Sequence, residues 1–212
     1  MKGITFGSYH SYNSFNLYLN KKTIGTPSPK TETIDIPCGD GVLDLTEFFG
    51  DVKYNNRILT FEFSTIVPQS EFMEQFSRVQ NALHGRKMRI VLDDDSEWYY
   101  VGRISVNEWQ AEKAIGKIVI ECDCEPYKCK LADTVVTVDV SGTRQIVLKN
   151  TRKPVIPLIT ITGNINLTFD TNFYSLSDGD YELPAVRLTE GDNAILLEGT
   201  GTASFRYLQR GL

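Results

Sequence analysis

Short runs in which apolar and polar residues alternate are the feature of this sequence that most restricts its fold. In RILTFEFSTIV, residues 57–67, the side chains of Leu59, Phe61, Phe63 and Val67 fall on one face. Successive residues of a strand point to opposite faces, so this pattern predicts a strand with one buried face. The same pattern predicts two strands joined by a polar turn at Asp93 to Ser96, and a further strand from Ile115 to Cys124.

One segment has helical spacing instead. In SEFMEQFSRVQNALHGR, apolar residues recur three and four apart, at Phe72, Phe76, Val79 and Leu83. Ser70 is a candidate N-cap for this helix. His84 falls at its end, where a cation favours the helix dipole, so we interpret His84 as a capping residue. We predict a single helix over about residues 70–85.

After Lys130 the helical spacing disappears. Six alternating runs follow one another, separated by glycine-containing turn signals: TVVTVDV, RQIVLKN, VIPLITITG, INLTFD, NAILLEG and TASFRYL. Many short strands of this kind are typical of a β-sandwich or jelly roll. We therefore predict an all-β protein with one helix, in which a β-sandwich domain (1–130) precedes a helix-free β-sandwich domain (131–212), with a boundary near residues 126–133.

Charge and hydropathy restrict the functional class. The 212 residues carry a net charge of −5, with 15 Lys and Arg against 18 Asp and Glu in residues 1–130, and 7 against 9 afterwards. Neither half has the basic excess of a protein that grips nucleic acid. No run of 18 apolar residues occurs, and the first residues lack the apolar stretch of a signal peptide. We expect synthesis and folding in a cytoplasm, with no membrane partner.

Three of the four cysteines lie in ECDCEPYKCK, at Cys122, Cys124 and Cys129. The alternation of the preceding strand places Cys122 and Cys124 on its apolar face, which favours a core position. A disulfide between them is disfavoured, because residues i and i+2 of a strand lie roughly 7 Å apart. A metal site and a redox site remain the alternatives, although the spacing differs from that of paired zinc ligands.

No recognisable catalytic spacing occurs. Neither His10 nor His84 has a nucleophile or carboxylate at a spacing known from catalytic sites. His10 lies in a polar stretch, and we expect it to be solvated. Asp93 to Asp95 lack the regularly spaced oxygen ligands of a calcium-binding loop, so we predict a hairpin turn there. Gly39 and Gly41 are not followed by Lys-Ser/Thr or by a helix, as in a phosphate-binding loop, so we predict a turn there as well. We predict no catalytic, cofactor-binding or metal site, and no enzymatic activity.

Aromatic residues allow two interpretations. Trp98 and Trp109 fall in or beside predicted strands, and we assign them to the core or to a subunit interface. The second half has no tryptophan, which weakens a sugar-binding reading. Tyr174, Tyr181 and Tyr207 remain candidates for a platform on which a sugar could stack.

A cluster of apolar residues between turn residues is the candidate inter-subunit contact. It consists of Val42, Leu43, Leu45, Phe48 and Phe49. An isolated solvated hairpin would carry fewer apolar side chains, so we expect these residues to meet a neighbouring copy. The alternative is that they cap the core of their own domain.

The order of these segments resembles the siphophage distal tail protein family. The resemblance rests on ITFGSYHSYNSFNLYL, on Gly41, Leu43 to Thr46, Tyr54 and Arg57, on the single helix, on LDDDSEWYYVGRIS, and on CEPY at the end of the first domain. The segment from NLTFDTNF to the C-terminal RYLQRGL is similar to the galectin-like second domain of that family. Cys38 stands where the family more often has a small residue.

The resemblance implies a virion protein of the phage tail tip, made in the cytoplasm of a bacterial host. Its first domain is expected to form a hexameric ring that joins the tail tube protein to the tail-associated hub protein and lets DNA pass. In many phages such a ring also carries receptor-binding proteins. The net negative charge of the chain is compatible with this role, because a channel through which DNA passes should not bind the DNA backbone. The alternative function is a carbohydrate-binding, lectin-like module, because galectin-like folds bind sugars elsewhere.

Overall fold

The structure, a computed structural model, describes residues 2–48, 50–112 and 115–212. The chain divides into two compact units. Unit 1 is Met1–Pro126 and unit 2 is Tyr127–Leu212. Strands dominate both units, so the predicted all-β fold class is confirmed.

Unit 1 is built on one antiparallel sheet. Its strands are β1 (Ile4–Phe6), β2 (Tyr9–His10), β3 (Tyr18–Ile24), β4 (Thr33–Asp35), β5 (Val42–Asp44), β6 (Arg57–Ile66), β7 (Lys87–Leu92), β8 (Trp98–Glu112) and β9 (Ile115–Cys124). The main sheet has the order β2-β1-β7-β8-β9-β6-β3. Strands β4 and β5 pair only with each other within the described residues, as a separate two-stranded ribbon.

The core of unit 1 lies on the face that the alternation predicted. Leu59, Phe61 and Phe63 of β6 are buried, and Thr65 continues that face, whereas Val67 lies beyond the end of the strand. Phe6 makes edge-to-face contacts with Phe61 and Phe63, at centroid distances of 5.9 and 6.4 Å. Such aromatic pairs add to the stabilisation from burial alone.

Helix α2 (Phe72–Leu83) covers this core and follows a 3-10 turn, Gln69–Glu71. Phe72, Val79 and Leu83 are buried as predicted. The predicted cap is wrong, because the N-cap residue is Glu71, without a side-chain capping bond, and Ser70 lies inside the preceding turn.

A short helix, α1 (Ser11–Phe15), was missed by the prediction of a single helix. Five residues are too few to show a helical period. Its N-cap is His10, whose Nδ1 accepts a hydrogen bond from the Asn13 amide at 3.2 Å. The chain leaves α1 through Asn16, whose φ of 55° is left-handed.

Gln75 joins both helices to the sheet. This buried side chain donates from Nε2 to the carbonyl oxygen of Phe15 at 2.6 Å, and its Oε1 accepts from the Thr65 hydroxyl at 3.1 Å. A buried amide left without partners costs about 1–3 kcal/mol, so these bonds determine how α1 docks on α2.

Unit 2 consists of strands and loops, and all of its residues are described. Its strands are β10 (Lys128–Lys130), β11 (Thr134–Asn150), β12 (Leu158–Phe169), β13 (Asn172–Leu176), β14 (Gly179–Glu182), β15 (Gly191–Tyr207) and β16 (Arg210–Gly211). Strands β11, β15 and β12 lie side by side, and β13 and β14 pair with successive parts of β12. Strand β10 pairs with β16.

Three predicted turns of unit 2 are instead bends within long strands. Each of β11, β12 and β15 runs through a glycine signal that the sequence suggested as a strand boundary. The glycines are in register, since Gly142 lies opposite Gly199, and Gly163 lies opposite Gly201. All four have positive φ, which other residues rarely adopt. The sheet therefore bends along one line of glycines.

The core of unit 2 lies on one face of this bent sheet. Ile195 and Leu197 precede the bend in β15, and Ala203 and Phe205 follow it, and all four are buried. Because the inward-pointing residues of β15 have odd numbers on both sides of the bend, this strand passes through the bend without a change of register.

Candidate functional site

A protruding arm, defined as residues 26–56, contains the candidate contact residues. It continues the β3–β6 hairpin beyond the main sheet. The amide of Gly25 donates to the Ile58 carbonyl at 2.8 Å, that of Asn55 to the Ser28 carbonyl at 2.9 Å, and that of Lys30 to the Lys53 carbonyl at 2.8 Å. These bonds join the two limbs of the arm along its length, which makes it an ordered ribbon.

The distal part of the arm is the β4–β5 ribbon. Ile34 lies opposite Leu43 and Asp35 lies opposite Val42, so Ile34 and Leu43 share one face. At the end of β5, the Asp44 carboxylate accepts a hydrogen bond from the Thr46 amide at 2.8 Å. Hydrogen bonds from the side chain and backbone of Thr46 hold the pKa of the exposed Asp44 carboxyl below its ordinary value.

Apolar side chains on the arm face solvent. Val42, Leu43 and Phe48 are 53%, 52% and 72% exposed, whereas Leu45 is half-buried. Phe49 lies outside the described residues. The structure adds Ile34 and Ile36, which are 52% and 46% exposed and which the sequence analysis missed. Their alternation with Asp35 was the signal that could have identified them.

This concentration of exposed apolar surface is the property expected of a protein interface. A scattered exposed isoleucine or leucine is ordinary in a folded protein, but a contiguous apolar set marks an interaction site. Here Ile34 and Leu43 are direct cross-strand partners on one face of the ribbon, and Val42, the partner of Asp35, is exposed on the other face. The alternative, that the set caps the core of unit 1, does not agree with this exposure.

Buried Arg57 holds the base of the arm. Its side chain is 7% exposed; Nε donates to the Gly25 carbonyl at 2.8 Å and Nη1 to the Pro126 carbonyl at 3.3 Å. The guanidinium also lies 5.3 Å from the centroid of the Tyr100 ring. An added Cβ at Gly25 would crowd the Ile58 carbonyl, so the limbs meet closely at this point. The sheet therefore fixes the direction in which the arm leaves.

The tip of the arm is a turn, as predicted for Gly39 and Gly41. Cys38 lies there, exposed, with a left-handed φ of 59°, and Gly41 has a φ of 79°. A left-handed φ at this position favours glycine, which has no Cβ, over cysteine.

Cys122 and Cys124 are fully buried in the core of unit 1, which confirms the core assignment. Burial raises the pKa of both thiols, that of Cys124 to about 12. A thiol that stays protonated is a poor nucleophile and a poor metal ligand. Among the described residues, no group of three His, Cys, Asp or Glu side chains is placed to hold a metal ion. Cys129 is buried in unit 2.

Both histidines have structural contacts that the sequence did not predict. His10 is only partly solvated, because its Nε2 lies 3.1 Å from Asp93 Oδ2 while Nδ1 caps α1. His84 lies at the C-terminus of α2, but its Nδ1 accepts a hydrogen bond from the Val106 amide at 3.1 Å. This bond links the end of the helix to β8, and His84 is the C-cap residue of α2, as predicted, with its backbone N–H donating to the Gln80 carbonyl at 2.9 Å. Asp93 to Ser96 form the predicted hairpin turn.

The aromatic candidates are mostly packed. Trp109 is half-buried, stacked on Phe76 at a centroid distance of 5.2 Å and edge-on to Phe72 at 5.7 Å. In unit 2, Tyr207 is buried and donates to the Lys149 carbonyl at 2.7 Å, while Tyr174 and Tyr181 pack against the core. These three tyrosines therefore do not present an open stacking platform.

In the part of the chain that is described, no helix has the length and apolarity needed to cross a membrane.

Comparison with known proteins identifies the architecture. No protein-family model matches the sequence, and no curated protein matches it. Among solved structures, the chain is similar to the Dit protein (gp 19.1) of phage SPP1, described as a paradigm of the hub adsorption apparatus in phages that infect Gram-positive bacteria. The TM-score is 0.69 at 13% sequence identity, and the match covers 98% of this chain and 99% of that one. The chain therefore has the fold of a siphophage distal tail protein, as the sequence resemblance predicted.

Proposed function

We propose that this protein is a structural component of a phage or prophage tail tip, in which six copies close into a ring through unit 1. The arm carries the proposal, because it holds out a set of apolar side chains from a chain that has the fold of SPP1 Dit over almost its whole length. The contact residues are Val42, Leu43, Leu45, Phe48 and Phe49, together with Ile34 and Ile36.

In this role the ring joins the tail tube protein to the tail-associated hub protein, and DNA passes through its bore. Unit 2 decorates the ring, and receptor-binding partners recognise the host. The protein acts as a scaffold of the virion, without enzymatic activity and without a cofactor. Stable protonation of the buried thiols and the structural contacts of His10 and His84 support this view.

Ring closure gives the exposed apolar residues of the arm, which leaves from one edge of the sheet, a partner surface on the next copy. In a closed ring each copy uses two different surfaces, so that one surface meets the other surface on the next copy. The arm extends the β3–β6 hairpin, and β3 is the terminal strand at that edge of the main sheet. An ordered arm with a fixed base loses little conformational entropy when it binds, which favours association.

The test replaces two exposed arm residues in the full chain, as Leu43→Asp with Phe48→Asp. We expect folded monomers, because a buried unpaired carboxylate is strongly unfavourable in an interface. The matched control is Val135→Asp with Phe173→Asp, which alters two unit 2 side chains that are 55% and 61% exposed. The mass in solution is measured by light scattering over a concentration series, with circular dichroism to monitor folding.

Loss of association in the arm variant, but not in the control, supports the proposal. Equal association of the wild type and the arm variant contradicts the role of the arm. A wild-type chain that stays monomeric at every concentration contradicts assembly of the chain on its own.

A further inference from the structure

We infer that the arm of one copy docks on a basic patch of the next copy, formed by Arg86, Lys87, Arg89 and Arg103 of unit 1. The inference rests on the proposed function, because it requires that copies of the chain associate side by side. It identifies the surface that receives the arm.

The patch concentrates positive charge on the outer face of β7 and β8. Lys87 lies directly opposite Arg103, Arg89 follows two residues later on the same face, and Arg86 precedes the strand. All four side chains are exposed. Like charges directly opposite each other in a sheet are destabilising, and an acidic partner would relieve that repulsion.

Nearby groups neutralise only part of this charge. Lys87 pairs with Glu125 at 2.6 Å, and Asp123, which lies opposite Arg103, accepts a hydrogen bond from the Asn56 amide group at 2.9 Å. Two further contacts described for the patch are to neutral groups. The Arg103 guanidinium donates to the Gly85 carbonyl at 2.6 Å, and that of Arg89 lies 4.7 Å from the Tyr99 ring centroid. Four cations against two carboxylates leave a positive excess.

The arm carries the complementary charge. Residues 26–56 contain six acidic residues and two lysines, for a net charge of −4 in a chain whose total is −5. Asp35 and Asp40 are exposed, at the ribbon and at the tip. Complementary charges between two surfaces guide association and select the correct partner. The arm therefore suits a basic surface, and the patch suits an acidic one.

Sheet topology brings the two surfaces together in a ring. The arm leaves from the edge formed by β6 and β3, while β7 lies toward the opposite edge, with only β1 and β2 beyond it. Both lie at the same end of the strands, because cross-strand partners run from Arg57 through Cys124 and Gly102 to Met88. In a ring whose axis runs along the strands, rotation about that axis preserves this level, so the arm of one copy comes level with the patch of the next.

The arm is also long enough to reach β7 of the next copy. From Gly25 to Asp35 the chain spans about 33 Å, at about 3.3 Å per residue of extended strand. Strands lie about 4.8 Å apart, so a path across β2 and β1 to β7 requires roughly 15 Å.

Charge reversal tests the pairing in the full chain. The arm variant is Asp35→Lys with Asp40→Lys, and the patch variant is Lys87→Glu with Arg89→Glu. Control variants make equal charge changes elsewhere, as Asp133→Lys with Glu182→Lys and as Lys117→Glu with Arg206→Glu. Association is measured by sedimentation velocity in about 50 mM and about 500 mM salt, because screening weakens exposed charge pairs.

We expect each reversed variant alone to associate about 100-fold more weakly than the wild type, since like charges in contact cost several kcal/mol. An equimolar mixture of the two variants restores association, because each reversed arm meets a reversed patch and each original arm meets an original patch. The control variants associate like the wild type.

Two results would overturn this inference without contradicting the proposed ring. They are a patch variant that associates like the wild type, and a mixture of the two variants that stays dissociated. A wild-type chain that does not associate overturns the proposed function itself, so the two failures are distinguishable.

Discussion

At the scale of single residues, Phe76 tests how α2 is held on the sheet. Its ring is half-buried and stacked on Trp109. Replacing a fully buried phenylalanine by alanine costs about 3–5 kcal/mol, and partial burial reduces this. We expect Phe76→Ala to lower the free energy of unfolding of unit 1 by about 2 kcal/mol, measured by tryptophan fluorescence in urea.

Two other positions on the same helix bracket that value. Met73 is 65% exposed, so Met73→Ala should cost less than about 0.5 kcal/mol. Leu83 is fully buried, so Leu83→Ala should cost about 2–5 kcal/mol. If Phe76→Ala behaves like Met73→Ala, the stack on Trp109 does not hold the helix.

The buried thiols predict a loss of stability at alkaline pH. In the unfolded chain a cysteine loses its proton around its ordinary pKa of 9.0, whereas folding raises the pKa of Cys124 to about 12 and also raises that of Cys122. Above pH 9 the unfolded state therefore binds fewer protons than the folded state, and stability falls as pH rises.

The slope is about 1.4 kcal/mol per pH unit for each thiol. Urea unfolding at about pH 8.5 and pH 10 measures it, and the variant Cys122→Ala with Cys124→Ala is the control for lysine and tyrosine titration. We expect a shallower decrease in the variant. An unchanged slope would mean that the thiols titrate equally in both states.

Sequence reasoning at this scale worked where a single pattern decides the outcome. The alternation in β9 was sufficient to place Cys122 and Cys124 in the core. It missed Gln75 and His10, because their partners, Phe15 with Thr65 and Asp93, come from segments whose proximity no local pattern reveals. On the arm, the pattern identified Val42, Leu43 and Phe48 but missed Ile34 on the other strand.

At the scale of elements, the glycine bend distinguishes unit 2 from an ordinary set of hairpins. A glycine between two alternating runs indicates equally a turn or a bend in one long strand. Only the pairing of Gly163 with Gly201 and of Gly142 with Gly199 decides between them, and pairing is a long-range property. The sequence therefore predicted the segments that form β11, β12 and β15 but not that each is one long strand, and it missed β13 and β14.

Gly201→Ala tests the bend. An added Cβ would overlap the Thr162 carbonyl oxygen, and Gly201 has a φ of 150°. We expect the loss of more than about 4 kcal/mol, or failure of unit 2 to fold. Both tryptophans belong to unit 1, so tyrosine fluorescence and circular dichroism report on unit 2 while tryptophan fluorescence reports on unit 1.

Gly142→Ala is the matched control. Its φ is 88°, but an added Cβ would meet nothing within 4 Å, so only backbone strain applies. That strain costs about 1–3 kcal/mol. Equal effects of the two substitutions would show that close approach of the strands at Gly201 does not matter.

At the scale of the whole molecule, the surfaces that we propose for association both belong to unit 1. The arm carries half of the exposed large apolar side chains described for unit 1, and the patch that we propose as its receptor lies on the same unit. We therefore expect unit 1 to form the ring. Removing residues 131–212 should leave a folded fragment that still associates, as judged by circular dichroism and light scattering.

Negative-stain electron microscopy of the full chain at high protein concentration tests ring formation most directly. The account predicts closed particles whose class averages have six-fold symmetry and a central bore, with a mass in solution six times the 23.9 kDa of one chain. Monomers at every concentration, or open and irregular oligomers that form equally well with Leu43→Asp and Phe48→Asp in place, would contradict it.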